Sequence, residues 1–199
     1  MLRRTKFLTT LFFVAVFHLF NQSNSKEQQF KVTVQQIIDG FSKQDSSKIS
    51  KFIDKKQGVY LLHRIGVFDT YEHFKTITFS NSTYPKILFT SSKGIRYDTL
   101  QYAAWPAFDC GKELWSKKGL FVDTTRTDHI VSEICKSRNE YRPDTISVKT
   151  IQFFYNLENK SRRIVLNDAN EKDLVFYLSY LNGKWYLTII DSVSSDCSV

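Results

Sequence analysis

Cys110, Cys135 and Cys197 are the residues whose chemistry the sequence constrains most tightly. They show no CxxC spacing and no flanking histidine pattern, so neither a metal site nor a cofactor is expected. In an oxidising compartment, three thiols resolve into one disulfide and one free thiol. Cys135 continues the helical pattern Ile130, Val131, Ile134, where a buried thiol serves as a small apolar group. Elimination leaves Cys110, beside Asp109 and Gly111, and Cys197, beside Asp196, as the expected bridge.

Acid–base chemistry has fewer candidates. His63, His73 and His129 lie outside the leading segment, and each is isolated from any nucleophile motif. On a strand, His63 and Arg64 beside Tyr60 would supply a small polar cluster, although a strand end meeting water accounts for them with fewer assumptions. Asp109 and Asp191 sit where strands end and could pair with a tyrosine as base and proton donor. Trp105, with Tyr97, Tyr102, Trp115 and Tyr177, could form an aromatic platform for an apolar-faced ligand such as a sugar. Tyr60, His63, Arg64 and Trp105 are therefore the candidate ligand-binding residues, and no catalytic residue is assigned. No GxSxG, HExxH, Walker or Rossmann signature occurs, so a binding domain is expected ahead of an enzyme.

The chain has 199 residues, 42% of them hydrophobic and 15% aromatic, enough to bury one sizeable core and too apolar for disorder. Arg3, Arg4 and Lys6 precede an apolar run from Phe7 to Phe20, and small polar residues follow at 21–25. That is the layout of a secretory signal over 1–25, with an apolar run too short to span a bilayer comfortably. Its removal lowers the net charge from +8 to +5, spread in isolated pairs such as Lys55-Lys56 and Lys117-Lys118. A periplasmic or extracellular protein follows, with no nucleic-acid partner and no stable membrane anchor after cleavage. The expected partner is a small ligand or a protein, and oligomeric state is not legible.

Positioning these residues requires a scaffold, and its clearest element is the stretch around Asn182-Gly183. Alternating apolar residues flank that pair, the strongest short hairpin signal. The expected pairs are Tyr180 with Trp185, Leu178 with Leu187 and Phe176 with Ile189. Phe30, Val34, Ile37, Ile38 and Phe41 share one helical face. Asp45 should cap a shorter second helix carrying Ile49, Phe52 and Ile53. Residues 58–64 read as a strand, and Asp69 to Glu72 as a capping box opening a third helix. Residues 80–126 read as an insertion, with a short strand at 86–90. Thr127 or Asp128 should cap the helix bearing Cys135. Residues 146–155 read as a long bulged strand, followed by a strand at 162–166 and the final hairpin.

A single α+β domain over 26–199 results, with N-terminal helices packed on a bent antiparallel sheet that ends in a meander. Two helices, a strand, a helix and the closing Asn182-Gly183-Lys184-Trp185-Tyr186-Leu187 meander resemble the cone-shaped fold of nuclear-transport-factor-like proteins. SnoaL-like cyclases and ketosteroid isomerases share that cone, here of an exported bacterial type. The resemblance implies a pocket at the open end of the cone. It also implies, as the alternative function, an isomerase or hydrolase working through an acid/base pair in that pocket.

Overall fold

Side chains alternate between the two faces of a strand, and here both faces of the central strands are buried. A computed structural model describes residues 25–79, 93–95, 99–143, 145–167 and 173–197. The strands are β1 (Val59–Ile65), β2 (Phe68–Phe74), β3 (Leu100–Ala103), β4 (Phe108–Asp109), β5 (Leu114–Trp115) and β6 (Gly119–Asp123), then β7 (Ser161–Asn167), β8 (Asp173–Leu181) and β9 (Lys184–Asp191). A mostly antiparallel seven-stranded sheet runs β2-β1-β9-β8-β7-β6-β3, with the β1–β9 and β3–β6 pairs parallel. β4 and β5 form a separate two-stranded ribbon. The class is α+β.

One face is covered by α1 (25–43) and α2 (Ser46–Ser50). Phe30, Val34, Ile37, Ile38 and Phe41 lie in one cluster with Leu61, Ile164, Phe176, Leu178, Leu187 and Ile190. Asp45 caps α2 by accepting from the Lys48 amide at 3.0 Å. Gly40 lets the two helices meet closely: a Cβ there would lie 2.6 Å from Ile49 Cδ1, so that side chain would have to shift. The opposite face is covered by α3 (Ile130–Tyr141) and α4 (Val148–Asn159), whose Val131, Ile134, Cys135 and Phe154 join Leu62, Val165, Val175, Tyr177 and Ile189.

The terminal hairpin turns through Asn182 (φ 50°) and Gly183 (φ 83°), both left-handed as a type I′ turn requires. Tyr180 faces Trp185 and Leu178 faces Leu187, but Tyr177 then faces Ile189 and Phe176 faces Ile190. The expected Phe176–Ile189 pair is corrected by one residue. Thr188 is the extra residue of a bulge that lets Ile189 enter one core and Ile190 the other.

Three expected elements differ. Residues 68–74 form β2, not a helix, because the Gly66-Val67 turn (Gly66 φ 59°) folds them back onto β1. Asp69 pairs across the strands with Arg64 at 2.7 Å instead of capping. Residues 148–159 form α4, not a bulged strand. Ser147 caps it by accepting from Thr150 N at 3.1 Å, and Ile151, Phe154, Leu157 and Glu158 point inward, while Phe153 and Tyr155 are 39% and 41% exposed. At α3 the cap position is His129, with no side-chain cap bond, while Asp128 binds Arg163. From the segment read as an insertion, β3 and β6 join the main sheet; the strand expected at 86–90 lies outside the described residues. Cys110 and Cys197 form the disulfide, with Cα atoms 5.6 Å apart, and Cys135 is free and buried. Among the described residues no helix is long and apolar enough to cross a membrane.

Candidate functional sites

The candidate ligand residues do not share one site. Tyr60 and Arg64 point towards α3 and α4. Tyr60 stacks on His73 with ring centroids 4.6 Å apart and meets Phe154 edge-on, and burial pushes its hydroxyl pKa up. Arg64 is engaged at both ends of its guanidinium, with Asp69 and with the Asp196 carbonyl at 2.7 Å. His63 belongs to the other face and is buried, with Nε2 3.6 Å from Glu72 Oε1. Trp105 lies across the sheet, where the Arg163 guanidinium sits 3.6 Å from its ring centroid. Of the proposed platform, Trp115 meets Trp105 edge-on, Tyr177 is fully buried, and Tyr97 lies outside the described residues.

Arg163 is the centre of a buried polar cluster that sequence reading missed. From β7 it donates to Asp123 Oδ2 through Nε at 3.0 Å and to Asp128 Oδ2 through Nη1 at 2.6 Å. Burial opposes its charge, but Tyr177, Asp128 and Asp123 outweigh that and raise its pKa. Burial also pushes the Asp123 carboxyl up, yet bonds from Thr125 and Arg163 carry it below the usual range. Tyr177 and Asp191 are driven the other way, both raised by desolvation. Asp191 accepts from the amides of Val193 and Ser194 and from Ser194 Oγ, so it closes the turn after β9.

A second buried carboxyl belongs to Glu158. Its oxygens accept from Val131 N at 2.8 Å, Ser132 N at 3.3 Å and Ser132 Oγ at 2.8 Å, so α4 caps the start of α3. Desolvation raises its pKa. The only sequence signal was a Glu in helical phase with Phe154 and Leu157, a phase hidden by the strand-like composition of 148–159.

Among the described residues, three cavities bear on function. A groove of about 840 Å³ runs between the β1–β2 hairpin and α3, lined by Ile65, Val67, Phe68, Ile134 and Tyr141 with Asp69, Glu133, Arg138 and Arg142 at its rim. Ile65, Val67, Phe68 and Tyr141 are 55%, 68%, 50% and 68% exposed, and the rings of Phe68 and Tyr141 meet edge-on at 5.0 Å. A cavity of about 530 Å³ lies against the disulfide, between Phe108, Trp115, Lys118 and Asp173. There Trp115 Nε1 donates to Asp173 at 3.0 Å, and burial raises the Asp173 pKa. A cleft of about 240 Å³ opens beside Arg126 and Asp128. Neither Tyr177 nor Asp191 lines any of these three. Among the described residues no group of histidine, cysteine and carboxylate side chains is placed to hold a metal.

Comparison with protein-family models, with curated proteins and with solved structures finds no match to this chain.

Proposed function

We propose that the protein is an exported, non-enzymatic binding domain that docks a protein partner in the groove between β2 and α3. One observation carries the reading. Four large apolar side chains, Ile65, Val67, Phe68 and Tyr141, stand exposed side by side at the β2 edge of the sheet, where no other described strand pairs. Isolated exposed apolar residues are ordinary, whereas a contiguous group rimmed by charges has the make-up of an interface. Tyr141 with Arg138 and Arg142 supplies the residue types that dominate binding energy.

Export rests on the charged start, the apolar run to Phe20 and the disulfide, whose formation is compatible with an oxidising location. Lys26, the first residue after the expected cleavage point, is docked: its carbonyl accepts from Trp185 Nε1 at 3.1 Å and its ammonium lies 4.0 Å from the Tyr180 ring centroid. The kinship with cone-shaped proteins draws support from the two helices before β1 and the closing β7–β9 meander. The β1–β2 hairpin and the helices on the second face depart from it. The enzymatic alternative would need a carboxyl and a tyrosine open to substrate. Tyr177 and Asp191 are a buried pair that lines none of the three cavities described, and the Tyr102 hydroxyl, which donates to Glu27, is part of an exposed pair that lines none of them either.

Selection from a displayed random-peptide library tests the groove. Peptides enriched on the wild-type domain should lose about tenfold or more in affinity for Phe68→Asp, a loss of about 1.4 kcal/mol per decade. Phe68 is half exposed, so the variant should fold. Failure to enrich any peptide, or enrichment indifferent to Phe68→Asp and Tyr141→Asp alike, would overturn the reading.

A further inference from the structure

The cavity of about 530 Å³ beside the disulfide is assembled from three distant parts of the chain: the β4–β5 ribbon with the segment after it, the ends of β7 and β8, and the C-terminal tail at 195–197. Each part is held by contacts of its own. In the ribbon, Phe108 pairs with Trp115 in register and their rings meet edge-on at 5.2 Å, while Trp105 also meets Trp115 edge-on, at 5.5 Å. The Trp115 indole N–H donates to Asp173 at the start of β8, which fixes the rotation of the ring. Asn167, at the end of β7, accepts from Gly119 N at 2.8 Å and donates to Lys117 O at 3.0 Å, so the backbone on both sides of Lys118 is gripped. The tail is tied down twice, by the Cys110–Cys197 disulfide and by Arg64, which donates to the Asp196 carbonyl at 2.7 Å.

The lining is mixed. Phe108, Leu114 and Trp115 bring apolar surface, and Glu113 and Lys118 bring charge. Glu113, Leu114 and Lys118 are exposed, and Phe108 and Trp115 are half-buried, so all five are open to a visitor. A wholly apolar ligand would strip water from the charged groups without replacing its hydrogen bonds. An anion is disfavoured for another reason: three carboxyl groups, Glu113, Asp173 and Asp196, line the cavity against one ammonium, that of Lys118. A small organic cation would meet that ammonium in the same space. What remains is a neutral molecule with an apolar face and a rim of groups that both donate and accept. A pyranose has that make-up. The C–H groups on one side of its ring suit the negative face of an aromatic side chain, and its hydroxyls satisfy a carboxylate and an ammonium alike. The volume lies within the roughly 300–1,000 Å³ of small-molecule sites.

We infer that this cavity is a carbohydrate-binding site, with a sugar ring laid against Trp115 and Phe108 and its hydroxyls meeting Lys118 and Glu113. The aromatic wall and the tail are fixed before the ligand arrives, so little further freedom is lost on binding. Among its described members, only Trp115 of the expected aromatic platform lines the cavity, and Phe108 supplies the second ring. The cavity shares no lining residue with the groove between β2 and α3, so neither reading depends on the other.

The test is an NMR titration of the exported, disulfide-bonded chain with glucose, galactose, mannose and N-acetylglucosamine as separate probes, and with tetramethylammonium and inorganic phosphate as controls. At least one sugar should shift the amides of Leu114 and Lys118 and the Trp115 indole N–H saturably, with a Kd below about 10 mM, and each control should bind about tenfold more weakly or worse. Trp115→Ala should cost that sugar about tenfold or more in affinity. Because that change also strips Asp173 of a donor, Lys118→Ala at an exposed position is the independent variant, with an expected loss of about fivefold. Failure of all four sugars to bind, a control that binds there as tightly as the sugar, or sugar binding that both variants leave unchanged would overturn the inference.

Discussion

Replacing Glu158 should unseat α3 from α4, and its effect can be worked from the hydrogen bonds. Glu158→Ala strands the amides of Val131 and Ser132 and the Ser132 hydroxyl, all buried. Each unmet buried donor costs about 1–3 kcal/mol, and the hydroxyl recovers part of its loss by rotating, so a net destabilisation of about 2–4 kcal/mol follows. Glu158→Gln keeps one oxygen and should lose about 1–2 kcal/mol. The pH dependence sharpens the test. Desolvation raises the folded-state pKa of Glu158 above its ordinary 4.5, so the native state holds the proton more tightly than the unfolded chain. Stability from this group is then full below that ordinary value and is lost as pH rises through the raised one. The gap between wild type and Glu158→Gln should therefore be widest near pH 4 and narrow towards neutrality, within roughly the span of a single buried carboxyl. Denaturant unfolding of the oxidised protein across that range measures it. A loss below about 0.5 kcal/mol for Glu158→Ala would refute the capping argument, and a gap that widens with pH would show instead that the capping bonds outweigh desolvation.

Three further outcomes follow from the same contacts. Trp185→Ala should cost about 3–5 kcal/mol in denaturant unfolding, since the ring packs on Phe30 at 4.9 Å and on Tyr180 at 5.1 Å; a loss below about 1 kcal/mol would show that this face is not core. Paired Cys110→Ser and Cys197→Ser changes should lower stability by up to about 4–5 kcal/mol on the chain-entropy estimate for an 87-residue separation, and peptide mapping should find Cys135 alkylated only after unfolding. Intact-mass analysis of exported protein should place its first residue near Lys26; a species retaining 1–25 would contradict the cleavage.

Local signals were legible wherever short-range chemistry decides the outcome. The 3.6-residue spacing from Phe30 to Phe41, the Asp45 cap and the Asn182-Gly183 turn all specify their elements without help from the rest of the chain. The cysteine pairing was legible too, because only Cys135 sat on a helical apolar stripe. Legibility failed where tertiary packing overrides propensity. In α4, aromatic and β-branched residues imitate a strand, and only contact with the sheet shows that Phe154 points in while Phe153 points out. In β2, a capping-box pattern proved to be a cross-strand ion pair, because the Gly66 turn folds the segment back to pair with β1. Nor could spacing show the bulge at Thr188, since the need for it arises from a sheet buried on both faces. The Arg163 cluster draws on β6, β7, β8 and the segment before α3, residues up to 54 positions apart between Asp123 and Tyr177, and no motif spans that distance. The groove was illegible for the same reason, as it exists only once α3 lies beside the hairpin.

Chemical-shift mapping of a library-selected peptide onto the oxidised domain tests the proposed function most directly. The groove reading predicts saturable shifts centred on Ile65, Val67, Phe68, Ile134 and Tyr141, abolished by Phe68→Asp, with the sheet core unmoved. Shifts centred instead on Phe108, Trp115 and Lys118 beside the disulfide, or a selection that yields no binding peptide, would contradict it.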